Sequence, residues 1–477
     1  MSIVTVSTPR SLSDLARVLG HSLDQTSVVA RVTHDSRDVV PGSIFCCVRG
    51  QRSDGHDFAV DAAARGAIAV VVERPVPGLS IPQIHVADSR IALAQLSCEF
   101  FGHPSQQLRV IGVTGTNGKT TTTQLLGSIM RTAGWTSEVF GTLSGQYTTP
   151  EAPVLQERLA GFLAEGGRAV AMEVSSHSLA LHRVDGTRFA VGVFTNLGRD
   201  HLDFHGDMES YGAAKARLFT AEFCDRAVIN VDDAFGAQLA RMVDRNVDVI
   251  SYSRADVSDV TISPVSHSYT WRGRRVTAPL GGSFNVMNSL AAATAAVAAG
   301  LDSDSVVAGL ACAPTVPGRF ESVEAGQDFT VLVDYAHTPD GLAEVLRSVR
   351  EASLEGGKVI LVFGCGGDRD KAKRPMMGEI AVSLADSVII TSDNPRSEDP
   401  RAIIDSIAAG IPDHLRHRLH GIFPERAEAI GRALRQASAQ DVVVIAGKGH
   451  EITQTIGSTV VPFDDRVVAR EFLEGRS

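Results

Sequence analysis

A lysine closing a glycine-rich turn is the first place in this chain where residue types and spacing specify chemistry. The stretch Gly112-Val-Thr-Gly-Thr-Asn-Gly-Lys-Thr-Thr-Thr-Thr123 ends on Lys119 and a run of threonines. Small residues let backbone N–H groups approach phosphate oxygens, and a helix starting at the lysine adds positive potential. Lys119 can reach the terminal phosphates of a nucleotide, and the Thr120 hydroxyl can ligate Mg²⁺. A strict phosphate-loop pattern has glycine at position 113; this chain has Val113, with Gly112 one place early. A tight turn in an ordinary Rossmann-like unit is the competing explanation. The flanks favour phosphate: Leu108 to Val113 is an apolar run of strand length, and Leu125, Leu126, Ile129 and Met130 recur at helical spacing. The loop is expected to bind a nucleoside triphosphate.

Other polar residues fall where such a site needs them. Glu173 ends the apolar run from Ala169. A carboxylate at a strand's carboxyl end suits the Mg²⁺ of a nucleotide site, although it also suits a helix cap. Asp200, His201, Asp203 and His205 lie close together, and because Mg²⁺ prefers oxygen, at most one histidine is expected on the metal. Lys215 recurs with Tyr211 and Phe219 every fourth residue, so it faces the apolar side of its helix. A lysine aimed inward is expected to be paired or modified. Asn285 and Asn288 open an alanine-rich helix, where Asn285 suits an N-cap and the pair suits a contact to a base or ribose. Farther on, a glycine turn and basic cluster (Gly364 to Arg374), Asp393-Asn-Pro-Arg396 and Gly447-Lys-Gly-His-Glu451 each follow a strand-like run. Each alone could be a turn. Together they suggest a site for a zwitterion, with arginine for carboxylates and acids for amines.

The elements that must position these residues are α/β throughout. At 477 residues, the chain is too long for one core. Three units are expected: 1–106, a small α/β unit; 107–314, headed by the phosphate loop; and 315–477, where strand–helix alternation restarts after Pro314 and Pro317-Gly318. Strands are anticipated at Ala67 to Val72, Val191 to Thr195, Ala227 to Asn230, Phe329 to Asp334, Lys358 to Phe363, Ser387 to Thr391 and Asp441 to Ala446. This alternation argues mainly parallel sheets, with ligands at the strands' carboxyl ends. A net charge of −10 excludes a broad basic field for nucleic acid. The six cysteines show no C-x-x-C pair and read as reduced thiols. The N-terminus lacks a signal-peptide pattern and no apolar run has membrane-spanning length, so a cytoplasmic protein is expected.

Gly115-Thr-Asn-Gly-Lys-Thr-Thr121, Met172-Glu-Val-Ser-Ser-His177, Arg199-Asp-His201, Val333-Asp-Tyr-Ala-His-Thr-Pro339 and Ala446-Gly-Lys-Gly-His-Glu451 together resemble the Mur ligases. These are ATP-dependent amino-acid ligases of peptidoglycan precursor synthesis. The resemblance runs from Asp35-Ser-Arg37 to Glu451, and is to the branch that extends UDP-N-acetylmuramoyl-L-alanyl-D-glutamate. Asp393-Asn-Pro-Arg396 is similar to its meso-diaminopimelate-selective form. The resemblance implies a three-domain fold: an N-terminal UDP-binding domain, a central ATPase-like domain and a C-terminal Rossmann-like domain. It implies ATP as co-substrate, Mg²⁺, and a mechanism through an acyl phosphate.

Residue by residue, Glu173, His201 and Lys215, the last as a carbamate, would help Thr120 hold Mg²⁺. ATP would be held by Gly115, Thr116, Asn117, Gly118, Lys119, Thr120, Thr121, Asn285, Asn288, Arg319 and Asp334. Ser36, Gln51, Arg52, Ser53, Thr148, Thr149, Ser175 and Arg183 would hold the UDP-muramoyl dipeptide. Arg369, Asp393, Asn394, Pro395, Arg396, Gly447 and Glu451 would hold diaminopimelate. The implied partners are small molecules, with no nucleic acid or membrane, and the protein is expected to be a monomer. The chain departs from the family's pattern in a short Leu143-to-Tyr147 connection, in Leu181 and in Gly198. Rival expectations are a lysine-adding or folylpolyglutamate-synthetase-like ligase, and a silent nucleotide-binding paralogue.

Overall fold

The computed structural model describes residues 9–50, 53–145, 147–352 and 356–475. Gln51 and Arg52 lie outside the described residues. Three parallel or mainly parallel sheets follow one another along the chain. The first pairs β1 (Arg31–Thr33), β2 (Ser43–Cys46), β3 (Ala67–Val72) and β4 (Gln83–His85) in that order, all parallel.

The second contains β5 (Arg109–Thr114), β6 (Ser137–Phe140), β7 (Ala169–Glu173), β8 (Val191–Phe194), β9 (Arg226–Asn230) and β10 (Asp248–Tyr252). Its order is β10-β9-β8-β5-β7-β6, all parallel. An antiparallel sheet follows: β11 (Val257–Ile262), β12 (His267–Trp271) and β13 (Arg274–Ala278). The last large sheet runs β14-β15-β19-β16-β17-β18, from β14 (Glu321–Ser322), β15 (Thr330–Asp334), β16 (Val359–Phe363), β17 (Ser387–Thr391), β18 (Leu419–Phe423) and β19 (Val442–Ala446). Only β14 is antiparallel in it. A hairpin, β20 (Thr453–Ile456) with β21 (Thr459–Pro462), follows.

Period-two alternation along each buried strand fills a core on both faces. In β5, Ile111 and Val113 pack on the side of the helix Ser283–Ala298, while Val110 packs with Val170 and Met172 on the other. The last sheet does the same, with Leu332, Leu361 and Val444 on one face and Val331, Val362 and Val443 on the other. The sequence does not announce β6, β10 and β18. They are edge strands: Phe140 alone is buried in β6, Tyr252 alone in β10, and no residue of β18 is.

The strand order reverses around β5, whose neighbours are β7 and β8. The loops after these three strands therefore open onto one crevice, where ligands of such sheets bind. Five of the six cysteines are buried, Cys312 is exposed, and all are free thiols. Among the described residues no helix is long and apolar enough to cross a membrane.

Candidate active site

The phosphate loop leaves β5, and the helix Lys119–Thr132 begins at its lysine. Gly118 has φ 84°, and a Cβ there would meet Asn288 Oδ1 at 2.3 Å, so only glycine fits. Asn285 does not cap its helix. It lies inside Ser283–Ala298, donating Nδ2 to Gly281 O at 2.7 Å and accepting from Asn288 Nδ2 at 2.8 Å. The choice left open by spacing thus falls on the paired amides beside the loop.

Two lysines converge on one backbone carbonyl. Lys119 Nζ donates to Gly115 O and Thr116 O at 2.8 Å each, and Lys215 Nζ donates to Gly115 O at 2.7 Å. Lys215 is 1% exposed, and its Nζ lies 4.5 Å from the Tyr211 ring centroid. Burial, then the neighbouring Lys119, pushes its pKa well below the usual lysine value. Burial also lowers Lys119, opposed by Glu173 and Asp200. Among the described residues, neither lysine has a carboxylate within ion-pair distance.

Glu173, at the end of β7, accepts from Thr120 Oγ1 at 3.1 Å, Thr142 N at 2.8 Å and Thr142 Oγ1 at 3.2 Å. His201 has a left-handed backbone, φ 55°, and burial drives its imidazole pKa down to about 3. A neutral imidazole keeps the lone pair a metal needs. Among the described residues no group of three or more His, Cys, Asp or Glu side chains is placed to hold a metal alone. Thr120 and Glu173 nevertheless present adjacent oxygens beside the phosphate loop, which fits Mg²⁺, an ion bound through one or two carboxylates plus substrate phosphates.

The opposite wall comes from the last sheet. Arg319 Nη2 donates to Thr120 Oγ1 at 3.2 Å, and its guanidinium lies 4.4 Å from the Tyr335 ring centroid. Asp334 is spent on backbone, accepting from Phe320 N and Ala336 N at 2.7 Å each. The cleft between the two walls has a volume of about 550 Å³. It is lined by Lys119, Thr120, Glu173, Ser175, His201, Lys215, Asn288, Arg319 and Asp334, and by Thr142 and Thr148.

A second cavity of about 620 Å³ shares Thr142 with the first and is lined by Asn394, Arg396, Glu451 and Arg466. Arg396 donates to Gly367 O at 2.7 Å and has no carboxylate partner among the described residues. Glu398, the plausible surface partner, is taken by Arg374 and Lys371 at 2.9 and 3.1 Å, and Asp399 caps the helix Pro400–Ala408. Glu451 accepts from Asn394 Nδ2 at 2.7 Å and Lys448 Nζ at 3.2 Å. Four expected residues do not line this cavity, Arg369, Asp393, Pro395 and Gly447: Arg369 is exposed, donating to Asp368 O, and Asp393 is buried next to Gly447. Pro395 is buried and Gly447 sits in the left-handed region. The basic cluster around 371–374 has partners within the chain. Lys371 and Arg374 bind Glu398, and Lys373 donates to His337 O at 2.8 Å.

Around the first sheet, Ser36 is half-buried and Ser53 exposed, while Arg37 folds onto Asp35. Arg183 pairs with Glu151 at 2.8 Å and reaches Thr149 O. Thr149 Oγ1 donates to Glu173 O at 2.9 Å and accepts from Ser175 N at 3.1 Å, and the Thr148 and Thr142 hydroxyls meet at 3.1 Å. Sequence reasoning missed Asn196, whose side chain accepts from Asn117 N at 2.9 Å, and Asp340, which accepts from Arg199 N at 3.0 Å. A signal existed for Asp340: it directly follows the run ending at Pro339.

Comparison with known families matches the Mur ligase family, catalytic domain, over residues 28–101. The Mur ligase middle domain matches over 113–296, and the Mur ligase, glutamate ligase domain over 318–449. The UDP-N-acetylmuramoyl-L-alanyl-D-glutamate--2,6-diaminopimelate ligase of Geobacillus kaustophilus is 45% identical over 468 residues, covering 93% of this chain and 94% of that protein. The ligase of the same name from Solibacter usitatus is 44% identical, covering 97% and 96%. A solved structure of an enzyme of that name superposes with TM-score 0.70 at 34% identity, covering 98% of this chain and 99% of the other. The fold is also shared with a MurF ligase from Thermotoga maritima in complex with ADP, at TM-score 0.65, 21% identity and 94% and 98% coverage.

Proposed function

The chain belongs to the Mur ligase family, and from that premise we propose that it joins meso-diaminopimelate to UDP-N-acetylmuramoyl-L-alanyl-D-glutamate at the expense of ATP. The observation that carries this reading is the shared wall of two cavities. Thr142 belongs both to the cleft of the phosphate loop and to the cavity of Arg396, so a carboxylate activated in one lies beside an amine held in the other. ATP transfers its γ-phosphoryl group to the glutamyl carboxylate, releasing ADP. The amine then attacks the acyl carbon, and phosphate leaves from the tetrahedral intermediate with loss of a proton. Activation is required because a carboxylate is a poor electrophile.

In this reading residues 1–106 hold the UDP-sugar, with Ser36 and Ser53 facing it; 107–314 hold ATP and the muramoyl dipeptide; and 315–477 hold diaminopimelate. Thr120, Glu173 and His201 would hold Mg²⁺, which neutralises charge on the transferring phosphoryl group. Lys119 and the loop amides stabilise the same charge. Burial lowers the pKa of Lys215 and so favours the neutral amine, the form that combines with CO₂, and its carbamate would set an anion beside Lys119. Arg396 grips the far carboxylate of diaminopimelate with its planar fork, and Glu451 binds an amine. The enzyme acts in the cytoplasm as a monomer.

The test is ADP release with the UDP-muramoyl dipeptide and either meso-diaminopimelate or L-lysine. Wild type is expected to use diaminopimelate by a wide margin. Arg396→Ala is expected to raise the KM for diaminopimelate by the equivalent of about 2–5 kcal/mol while leaving that for ATP nearly unchanged. Equal use of lysine would refute the substrate.

A further inference from the structure

We infer that Asp340 is a positioning residue for the loop Gly198–His201, which it holds against the phosphate loop from the opposite wall of the cleft. The inference rests on the reading that this cleft carries phosphoryl transfer.

Asp340 lies in the first turn of the helix Pro339–Ala352, in the unit of the last sheet. Its Oδ2 accepts the N–H of Arg199, a residue of the loop after β8, at 3.0 Å. The loop is gripped on its other side by Thr116 of the phosphate loop. Gly198 N donates to Thr116 Oγ1 at 2.9 Å, and the same hydroxyl reaches Gly198 O at 3.2 Å. Gly198 is thus flanked by the phosphate loop and by Asp340. A Cβ at position 198 would stand 2.8 Å from Asp340 Oδ2, closer than real Cβ contacts allow. With glycine here, the carboxylate reaches the Arg199 amide uncrowded; an added methyl would push against it.

What the latch positions follows immediately in the chain. Asp200 and His201 both line the cleft, and His201 holds a left-handed backbone that its neighbours must maintain. Asp340 lines the rim of the same cleft, and its carboxylate is engaged with the amide of Arg199. It acts through the amide of Arg199, fixing one end of a short, strained turn whose other end is continuous with the helix Leu202–His205. The contact joins units built on different sheets.

A double-mutant cycle on the full-length enzyme tests this. Gly198→Ala and Asp340→Ala should each lower kcat about tenfold, with the KM for ATP changing less than about threefold, since misplacement affects the reacting geometry more than uniform binding. The double variant should be no worse than Asp340→Ala alone, because the added methyl acts only by displacing the carboxylate. Asp340→Asn keeps an oxygen acceptor and should restore most of kcat. Hydrogen exchange on the protein without substrates supplies the independent readout: the Arg199 amide should exchange faster in Asp340→Ala and near the wild-type rate in Asp340→Asn. Additive losses, or an Arg199 amide indifferent to Asp340→Ala, would overturn the latch. So would an Asn variant as slow as Ala, which would make the charge itself the operative feature. The exchange measurement needs no ligation, so it judges the latch even if the substrate assignment fails.

Discussion

The nucleotide cleft and the framework behind the second cavity both concentrate cations, and they treat them in opposite ways. In the cleft, Lys119 and Lys215 share the Gly115 carbonyl, and among the described residues neither is in ion-pair contact with a carboxylate, Glu173 and Asp200 acting on them only from farther off. In the last sheet's unit the cations are matched. Arg374 and Lys371 converge on Glu398, and Arg426 holds Asp465 through two 2.7 Å bonds with both side chains fully buried. Arg426 also reaches Ala446 O at 3.0 Å and Ser392 O at 3.4 Å, bracing the ends of β19 and β17. Matched charge builds the frame that holds Asn394 and Glu451 in place. Unmatched charge is kept for an anion the chain does not supply, and burying it costs stability.

The comparison can be broken most directly at the matched pair. Asp465→Ala strands a buried guanidinium and should cost about 3–5 kcal/mol of unfolding free energy, read from urea denaturation. A loss within the range of an ordinary surface substitution would mean that Arg426 is not braced by its partner.

Lys119→Ala should show the converse. ADP release should fall by about 10²–10³-fold, as for loss of one donor to a developing oxyanion. The thermal midpoint should hold or rise, because the lysine removed is buried and leaves no carboxylate broken out of an ion-pair contact. Near-normal turnover by the folded variant would remove the loop from the chemistry.

The smallest effect concerns Glu398, whose pKa is held at about 2, chiefly by the Arg374 hydrogen bond and then by the Asp368 amide. A depressed folded-state pKa stabilises above the unfolded value of about 4.3 and is lost as pH falls toward the folded one. Wild type should therefore lose this contribution between about pH 4.3 and 2. Glu398→Gln should flatten that part of the acid-stability profile, measured by the midpoint against pH. An unchanged profile would show the pair to be solvent-screened.

The same contrast explains what was legible in the sequence. Lys215 was readable because its inward direction follows from local periodicity with Tyr211 and Phe219, and all three are buried. The phosphate loop and Glu173 were readable because strand, turn and helix are contiguous. The pairing of the cluster at 371–374 was not legible because its partner, Glu398, lies in another loop, and a residue's charge says nothing of who neutralises it. Arg369 and Asp393 stand beside motif residues in sequence, yet one points to solvent and the other lies under the cavity. β10 and the antiparallel strands β11 to β13 escaped for a different reason. Their residues are half solvated, so their hydrophobic signal is weak. Asp340 needed tertiary structure, since its contact spans two sheets.

The distribution of thiols has a practical corollary. Burial holds Cys46, Cys47, Cys98, Cys224 and Cys365 well above the ordinary thiol range, whereas Cys312 is exposed at the end of the helix Ser303–Ala311, just ahead of Pro314. A maleimide dye would therefore mark one position with no cysteine-free background to engineer. That position lies in the connection between the two six-stranded sheets, where a fluorophore would report on the surroundings of that connection.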